Sequence, residues 1–485
     1  MTRNSNGRPT ARPHLRRWTI GTVVVVAGLA LAGVVAYVAG SSTSDSASTL
    51  KRGDWQPPQQ MTLNSSMRKP PAPGWRFALG DLGLPEYSIF ARSPEHHGSS
   101  TPFVGSVANN AYFLASSPGE PDRQQWLVGL DVDTGRGLFP PVKLDAGPNF
   151  LKCFLNGPEF VLCLADDVID GNAQGTAWVI DAHSGIVLFN GQTELHTTPG
   201  SGTAVEQVGI YAVAEMRGKG LYGVGPRAET TWFVPDATKV EPTRWSADAI
   251  PPTLAAAHDS AKGSDRMVVF SLLDGKIITP RLGDGQSPMT AVVYPGGFAV
   301  ETTTDARSSI SDTVTFLDDA GVRVGETNVS GPLSDLSMTL PVVKSSPSYS
   351  IFGANAAELI QFPGDGLGPG AVLIGQRVYA PESNWEGPVK VRRWRQFDLA
   401  TGMEGNTCRA NMSGYLANDG SVGIFETERD EVTGATTFAM DLTTCEKLWT
   451  TPVNPDSYHR LWRIDDSLVE LSDDGRELHS LVAPG

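Results

Sequence analysis

The sequence is poor in the side chains on which most enzymatic and metal chemistry rests. It holds four cysteines and eight histidines in 485 residues. No CxxC spacing exists and no histidine pattern accompanies the cysteines, so thiolate–zinc and dithiol redox sites lack their ligands. Gly-x-Ser-x-Gly, a Walker loop and a convincing dinucleotide fingerprint are missing as well. Ser66-Met-Arg-Lys69 matches Ser-x-x-Lys, but so short a match arises by chance, and this one stands in a Ser/Pro-rich stretch. The adjacent pair His96-His97 points in two directions on an extended chain and has no ready-made ligand geometry. Helical periodicity is nearly absent, and 52 glycines with 35 prolines exclude a long helical bundle. The Ala-rich piece near 253–262 is the one candidate for a short helix.

Acids are missing from the first 39 residues, which carry Arg3, Arg8, Arg12, Arg16 and Arg17. Taking those five from 38 basic residues leaves 33 against 53 acids, so the remaining chain carries −20. Such a body is soluble and excludes nucleic acid as a partner, because phosphate backbones need a cationic surface. Directly after the arginines, Ile20 to Ala39 runs uncharged for twenty residues. At about 1.5 Å per residue a helix of that length spans the roughly 30 Å hydrocarbon core. The arginines keep the N-terminal side cytoplasmic, and Trp18 and Tyr37 mark the two interfaces. A cleaved signal peptide is the alternative, but its apolar region would be about 7–15 residues. The expected order is a cytoplasmic tail (1–17), a transmembrane helix (18–39), a Ser/Thr/Pro tether (40–73) and an extracytoplasmic body (74–485). The expected location is the plasma membrane, crossed once.

What the body does have is turns. Short strands such as Trp126–Leu130, Ala177–Ile180, Met267–Phe270, Thr313–Leu317 and Val389–Trp394 are split by Gly, Asp, Asn and Pro. One turn recurs: Asp131-Val-Asp-Thr-Gly135, Asp181-Ala-His-Ser-Gly185, Asp398-Leu-Ala-Thr-Gly402 and Asp441-Leu-Thr-Thr-Cys445. The carboxylate caps the turn, the hydroxyl adds a bond and glycine supplies the positive φ. Three copies place an aromatic eight residues beyond the Asp, at Phe139, Phe189 and Trp449. His183, inside one such turn, is expected to face solvent. Asp131-Val-Asp133 resembles a piece of a calcium loop, but the turn recurs without its second acid and explains it better. Weaker copies lie at 226–228, 273–275, 317–321, 362–365 and 472–475, spaced mostly as propeller blades are.

These turns resemble the repeats of quinoprotein-like (PQQ-repeat) β-propellers across essentially all of 74–485. The resemblance implies an all-β propeller. Its 412 residues divide into about 51.5 per blade for eight and about 59 for seven, so eight blades are preferred and seven remain possible. Closure is expected to pair Trp75–Leu79 with strands near 461–481, because a ring leaves few open edges. Trp126, Trp178, Trp232, Trp394, Trp449 and Trp462 are expected to pack between blades. The family also contains quinone-dependent dehydrogenases, which use adjacent cysteines, a stacking Trp and a calcium at the propeller centre. No two cysteines are adjacent here, so no catalytic residue, cofactor or metal ligand carries over.

Cys153 and Cys163 flank the hairpin signal Asn156-Gly157, and Cys408 and Cys445 lie in consecutive repeats; two structural disulfides are expected. The insertion 379–388, with Tyr379, Trp385 and Glu386, has the composition of a recognition loop. The resulting expectation is a non-catalytic, membrane-anchored interaction scaffold or sensor of the bacterial cell envelope, with envelope or membrane proteins as partners. A periplasmic quinone-dependent dehydrogenase and a funnel that binds a glycan or small ligand are the alternatives.

Overall fold

The middle strands of each blade have two faces, and each face is buried against a different neighbouring blade. In Phe160–Asp167, Val161, Cys163 and Ala165 join one apolar cluster while Leu162 and Leu164 join the next. That is why the strands read as short continuous apolar runs rather than as alternation. A computed structural model describes residue 52 and residues 55–90, 102–117, 124–146, 150–167, 174–197, 202–241, 248–260, 266–305, 313–327, 331–345, 347–364, 366–368, 370–382, 393–427, 436–452 and 460–485.

Nine sheets follow one another around a ring among these residues. Blades 1 to 8 span 89–144, 150–193, 195–235, 237–278, 287–327, 333–363, 372–408 and 415–452, and blade 9 spans 460–482. Nine apolar clusters lie between them, each drawing on two consecutive blades. The six tryptophans expected between blades all lie in or against these clusters. The Ala-rich piece is not helical: Leu254–Asp259 is a strand, and Ala255, Ala256 and Ala257 are buried where adjacent blades approach closely.

The ring closes on Ala72–Ala78, which pairs antiparallel with Glu477–Val482 as the outer strand of blade 9. Phe77 lies opposite Leu478, and Arg76 reaches Glu477 at 2.6 Å. This closure matches the expected one and also explains the blade count. The hairpin before the outer strand sets one residue at positive φ: Gly135, Gly185, Ala228, Gly275, Gly321, Ala356, Gly402 and Cys445. That makes eight turns for nine blades, because blade 9 borrows its outer strand from the other end of the chain. The turn at Gly475 joins the second and third strands of blade 9 and is of a different kind. In blade 6 the hairpin falls at Gly353–Ala357, not at 362–365, where the outer strand Glu358–Pro363 ends. Neither eight nor seven blades is therefore correct. Nine gives about 46 residues per blade, within the usual spacing of propeller repeats.

The repeated turn is also where consecutive blades lock together. Asp181 accepts hydrogen bonds from the Ser184 N–H and hydroxyl, both at 2.8 Å, and these hold its pKa below the usual range. The following carbonyl receives a donor from the preceding blade. Trp75 donates to Val132 O at 2.6 Å, Tyr112 to Ala182 O at 2.9 Å and Tyr379 to Leu442 O at 2.6 Å. An outer-strand aromatic then lies on the next blade's glycine: a Cβ at Gly135 would stand 2.6 Å from Trp75, and one at Gly185 2.5 Å from Phe139. Glycine is needed there for space as well as for its positive φ.

Candidate functional site

The first strand of each blade borders the centre of the ring, and two segments bridge it. The first is 55–71, most of the expected tether, which proves to be part of the body. Trp55 is buried between blades 6 and 7, and Leu63 and Met67 between blades 8 and 9. Gln60 accepts from Gly375 N at 2.5 Å and donates to Leu373 O at 3.3 Å. Leu63 N donates to Asn418 O at 2.7 Å and Asn64 N to Asp466 O at 2.9 Å. Met67 N meets Asp419 Oδ2 at 2.7 Å, Trp449 Nε1 meets Met67 O at 2.8 Å, and Arg68 reaches Asp441 at 3.0 Å. Ser66-Met-Arg-Lys69 is thus a docking segment. Burial works against the Asp419 carboxylate, but the N–H groups of Met67, Ser421 and Val422 outweigh it and hold its pKa low.

The second segment is the connection between the first two strands of blade 4, described from residue 248. Met61 N donates to Asp248 O at 2.8 Å, and Gln60 bridges Ala249. The Asp248 carboxylate, fully buried, accepts from Tyr415 OH at 2.7 Å and Asn418 Nδ2 at 3.0 Å, both in blade 8. Burial pushes its pKa up, partly offset by those donors and by the nearby Arg463 of blade 9. The insert and the N-terminal strap together cover the centre beside blades 6 to 9.

A cavity of about 420 Å³ stays open beside blades 1 to 4. Val104, Leu155, Ile210, Val240 and Leu254 give it apolar walls, and Glu206 and Glu241 bring carboxylates to it. Glu241 meets His258 Nε2 at 2.5 Å and Lys239 Nζ at 3.7 Å. Gln207 mimics a strand: its Oε1 accepts from Leu155 N at 2.8 Å and its Nε2 donates to Leu155 O at 3.1 Å. No residue of this cavity stood out in the sequence. The one signal was a Glu-Gln pair inside an apolar strand and a Pro251-Pro252 dipeptide beside it.

The cysteines pair as expected. Cys153 lies opposite Cys163 across the first hairpin of blade 2 and is bonded to it. Cys408, on the outer strand of blade 7, is bonded to Cys445 in the turn of blade 8. Cys445 holds φ 60° where most of the turns have glycine, so this blade junction is tied covalently rather than by an aromatic on a glycine. Tyr379 is not a loop residue: it lies in Arg377–Pro381, is fully buried, and burial pushes its pKa up to about 12. Trp385 and Glu386 lie outside the described residues, as do His96-His97, most of the strand expected at 389–394 and the expected transmembrane helix. No helix among the described residues is long and apolar enough to cross a membrane, and none of their His, Cys, Asp and Glu groups is arranged to hold a metal ion. His183 is exposed in its turn.

A family model described as a conjugation-associated 9-bladed β-propeller domain matches residues 47–484. An uncharacterised protein of Mycolicibacterium smegmatis (strain MKD8) is 59% identical over 485 residues, the whole of both chains. Among solved structures the chain is similar to BamB from Moraxella catarrhalis, at 10% identity and TM-score 0.36, over 84% of this chain and 98% of that one. It is also similar to a eukaryotic initiation factor, at 12% identity and TM-score 0.40, over 75% and 91%. The matching family model is not that of the quinoprotein-like repeats, so that resemblance stops at the propeller.

Proposed function

Because the chain belongs to the family of conjugation-associated nine-bladed β-propeller domains, we propose that it is a non-catalytic scaffold that gathers proteins of a conjugative transfer apparatus at the bacterial envelope. In this reading the apolar run at 20–39 anchors it in the plasma membrane with the propeller outside. The anchor keeps the ring near membrane partners at high effective concentration. Two disulfides in a chain with four cysteines support an oxidising location.

The observation that carries the scaffold reading is the bridged centre. Where the quinone-dependent enzymes hold their cofactor, this ring carries its own insert, with Asp248, Tyr415 and Asn418 buried together. Contacts then fall to the faces, the rim and the part of the centre left open in a rigid ring. The body's charge of −20 favours partners with cationic surfaces.

The test is deletion of the gene in a conjugating host, with counts of transconjugants, together with crosslinking of the tagged full-length protein in intact cells. A fall in transfer and a reproducible envelope partner are expected. Unchanged transfer with no partner recovered despite good yield would overturn the reading. Replacing 383–388 by Gly/Ser, which leaves the buried Tyr379 in place, asks whether that insertion makes the contact. Protease accessibility of a C-terminal tag on intact spheroplasts tests the location.

A further inference from the structure

We propose that the cavity beside blades 1 to 4 seats an arginine side chain carried by an extended segment of a partner protein. This rests on the scaffold reading and gives it a contact point. At about 420 Å³ the cavity has room for a long side chain and part of its backbone. Apolar walls suit the aliphatic stem of a basic residue, which buries along such surface while its head seeks an acceptor. Among the lining residues there are two carboxylates and no lysine or arginine. Glu241 is already engaged by His258 and Lys239. Glu206 is exposed, with no ion pair among the described residues, and is left to meet an incoming cation. A guanidinium fits a carboxylate through two parallel hydrogen bonds, which favours arginine over lysine.

The backbone supports an extended ligand. Gly105, Ser106 and Val107 of blade 1 pair only with the second strand of their blade, and Thr203–Val208 of blade 3 is paired on its inner side only at Thr203 and Ala204. Both strands therefore turn unpaired edge toward the cavity, where a partner's main chain can add hydrogen bonds. Blade 2 offers no such edge at Leu155, because Gln207 already takes both its N–H and its carbonyl.

The test is fluorescence anisotropy of the purified full-length protein with a labelled pentapeptide, arginine between two leucines on each side. The same peptide with citrulline keeps the shape and removes the charge. Saturable binding of the arginine peptide is expected, with citrulline at least tenfold weaker. Glu206→Gln should lose at least tenfold for arginine alone, and Ser106→Phe, which fills the cavity, should lose both peptides. Glu404→Gln, on the outer strand of blade 7, should change nothing. Equal affinity for the two peptides, an unaltered Glu206→Gln protein or no saturable binding at millimolar peptide would each overturn the proposal. Such a failure leaves partner recovery by crosslinking intact, whereas failure of the scaffold reading removes the partner and spares the peptide.

Discussion

Two halves of the ring solve the problem of the centre differently. Beside blades 6 to 9 the N-terminal strap lies across the first strands, with Trp55, Leu63 and Met67 buried. Its backbone is spoken for by Asn418, Asp466 and Asp419. Beside blades 1 to 4 the strap is absent and the cavity stays open. The rim differs in the same sense. Ile186, Val187, Leu188, Phe233, Leu273, Ile277 and Val324 are exposed at the outer edges of blades 2 to 5, against Met403 on blade 7 and Val482 on blade 9. The junctions follow suit: aromatics lie on glycines at Gly135, Gly185 and Gly275, whereas blades 7 and 8 share a disulfide. One half is tied down, and the other keeps surface available. Repeats that read alike in sequence are thus divided in task by segments that lie outside the repeat.

That contrast can be broken most severely at the seam. Removing residues 466–485 takes away the strands that hold Ala72–Ala78, so the purified protein should show no cooperative unfolding transition by circular dichroism. A cooperative melt would mean that the ring does not need closure. The disulfides come next. Opening Cys408–Cys445, which closes a loop of 37 residues, should cost about 4 kcal/mol, and opening Cys153–Cys163, with 10, about 3 kcal/mol. Denaturant titrations of the two Cys→Ser pairs should keep that order; the reverse would place the tighter constraint in the open half.

The strap has its own pH signature. Asp419 and Asp441 are held below their usual pKa in the folded protein, by the strap and by their own turns. A lowered folded pKa gives stability that is complete above the unfolded value near 4 and is lost as pH falls through the folded value. Thermal stability should therefore drop below about pH 4. Asp419→Asn should cost about 1–2 kcal/mol at pH 7 and flatten that acid limb. An unchanged limb would show that the strap is not held by its carboxylate partner.

Smaller effects separate the halves further. Tyr112→Phe leaves Ala182 O without its donor, and about 1 kcal/mol should be lost in a urea titration. Tyr379→Phe should cost less, since Gln396 also donates to Leu442 O. Arg68→Ala should cost under about 1 kcal/mol, because its side chain is more than half exposed.

Much of this was legible in the sequence, and the reason is chemical. A turn that needs a carboxylate, a hydroxyl and a positive φ leaves few residue choices, so Asp131, Asp181, Asp398 and Asp441 announce themselves. Cysteine pairing followed from their places in hairpin and repeat, and closure from the need to cover an edge. The blade count failed because it was drawn from residues per blade, where about 51.5 suited the resemblance better than about 46. Nine turn-like positions were visible, but Ala356, in glycine's place, hid the turn of blade 6, and the one at 472–475 is of another kind. The strap failed because three apolar anchors among Ser, Pro and Gln have no period, and backbone bonds to turns far along the chain leave no trace in composition. Tyr379 looked like a loop residue because the strand that holds it ends in Ala-Pro. The cavity drew its walls from four blades, so no local window contained it.

The borrowed strand of blade 9 also sets a clock. Ala72–Ala78 is made long before its partner, Glu477–Val482. Eight blades can assemble as the chain emerges, but the last cannot form until Glu477–Val482 has left the ribosome. Until then the newborn protein carries an unfilled β-edge at its leading end, waiting for a strand some four hundred residues behind it. Any factor that guards that edge acts only during this interval, and a ribosome stalled before Glu477 would leave an open ring.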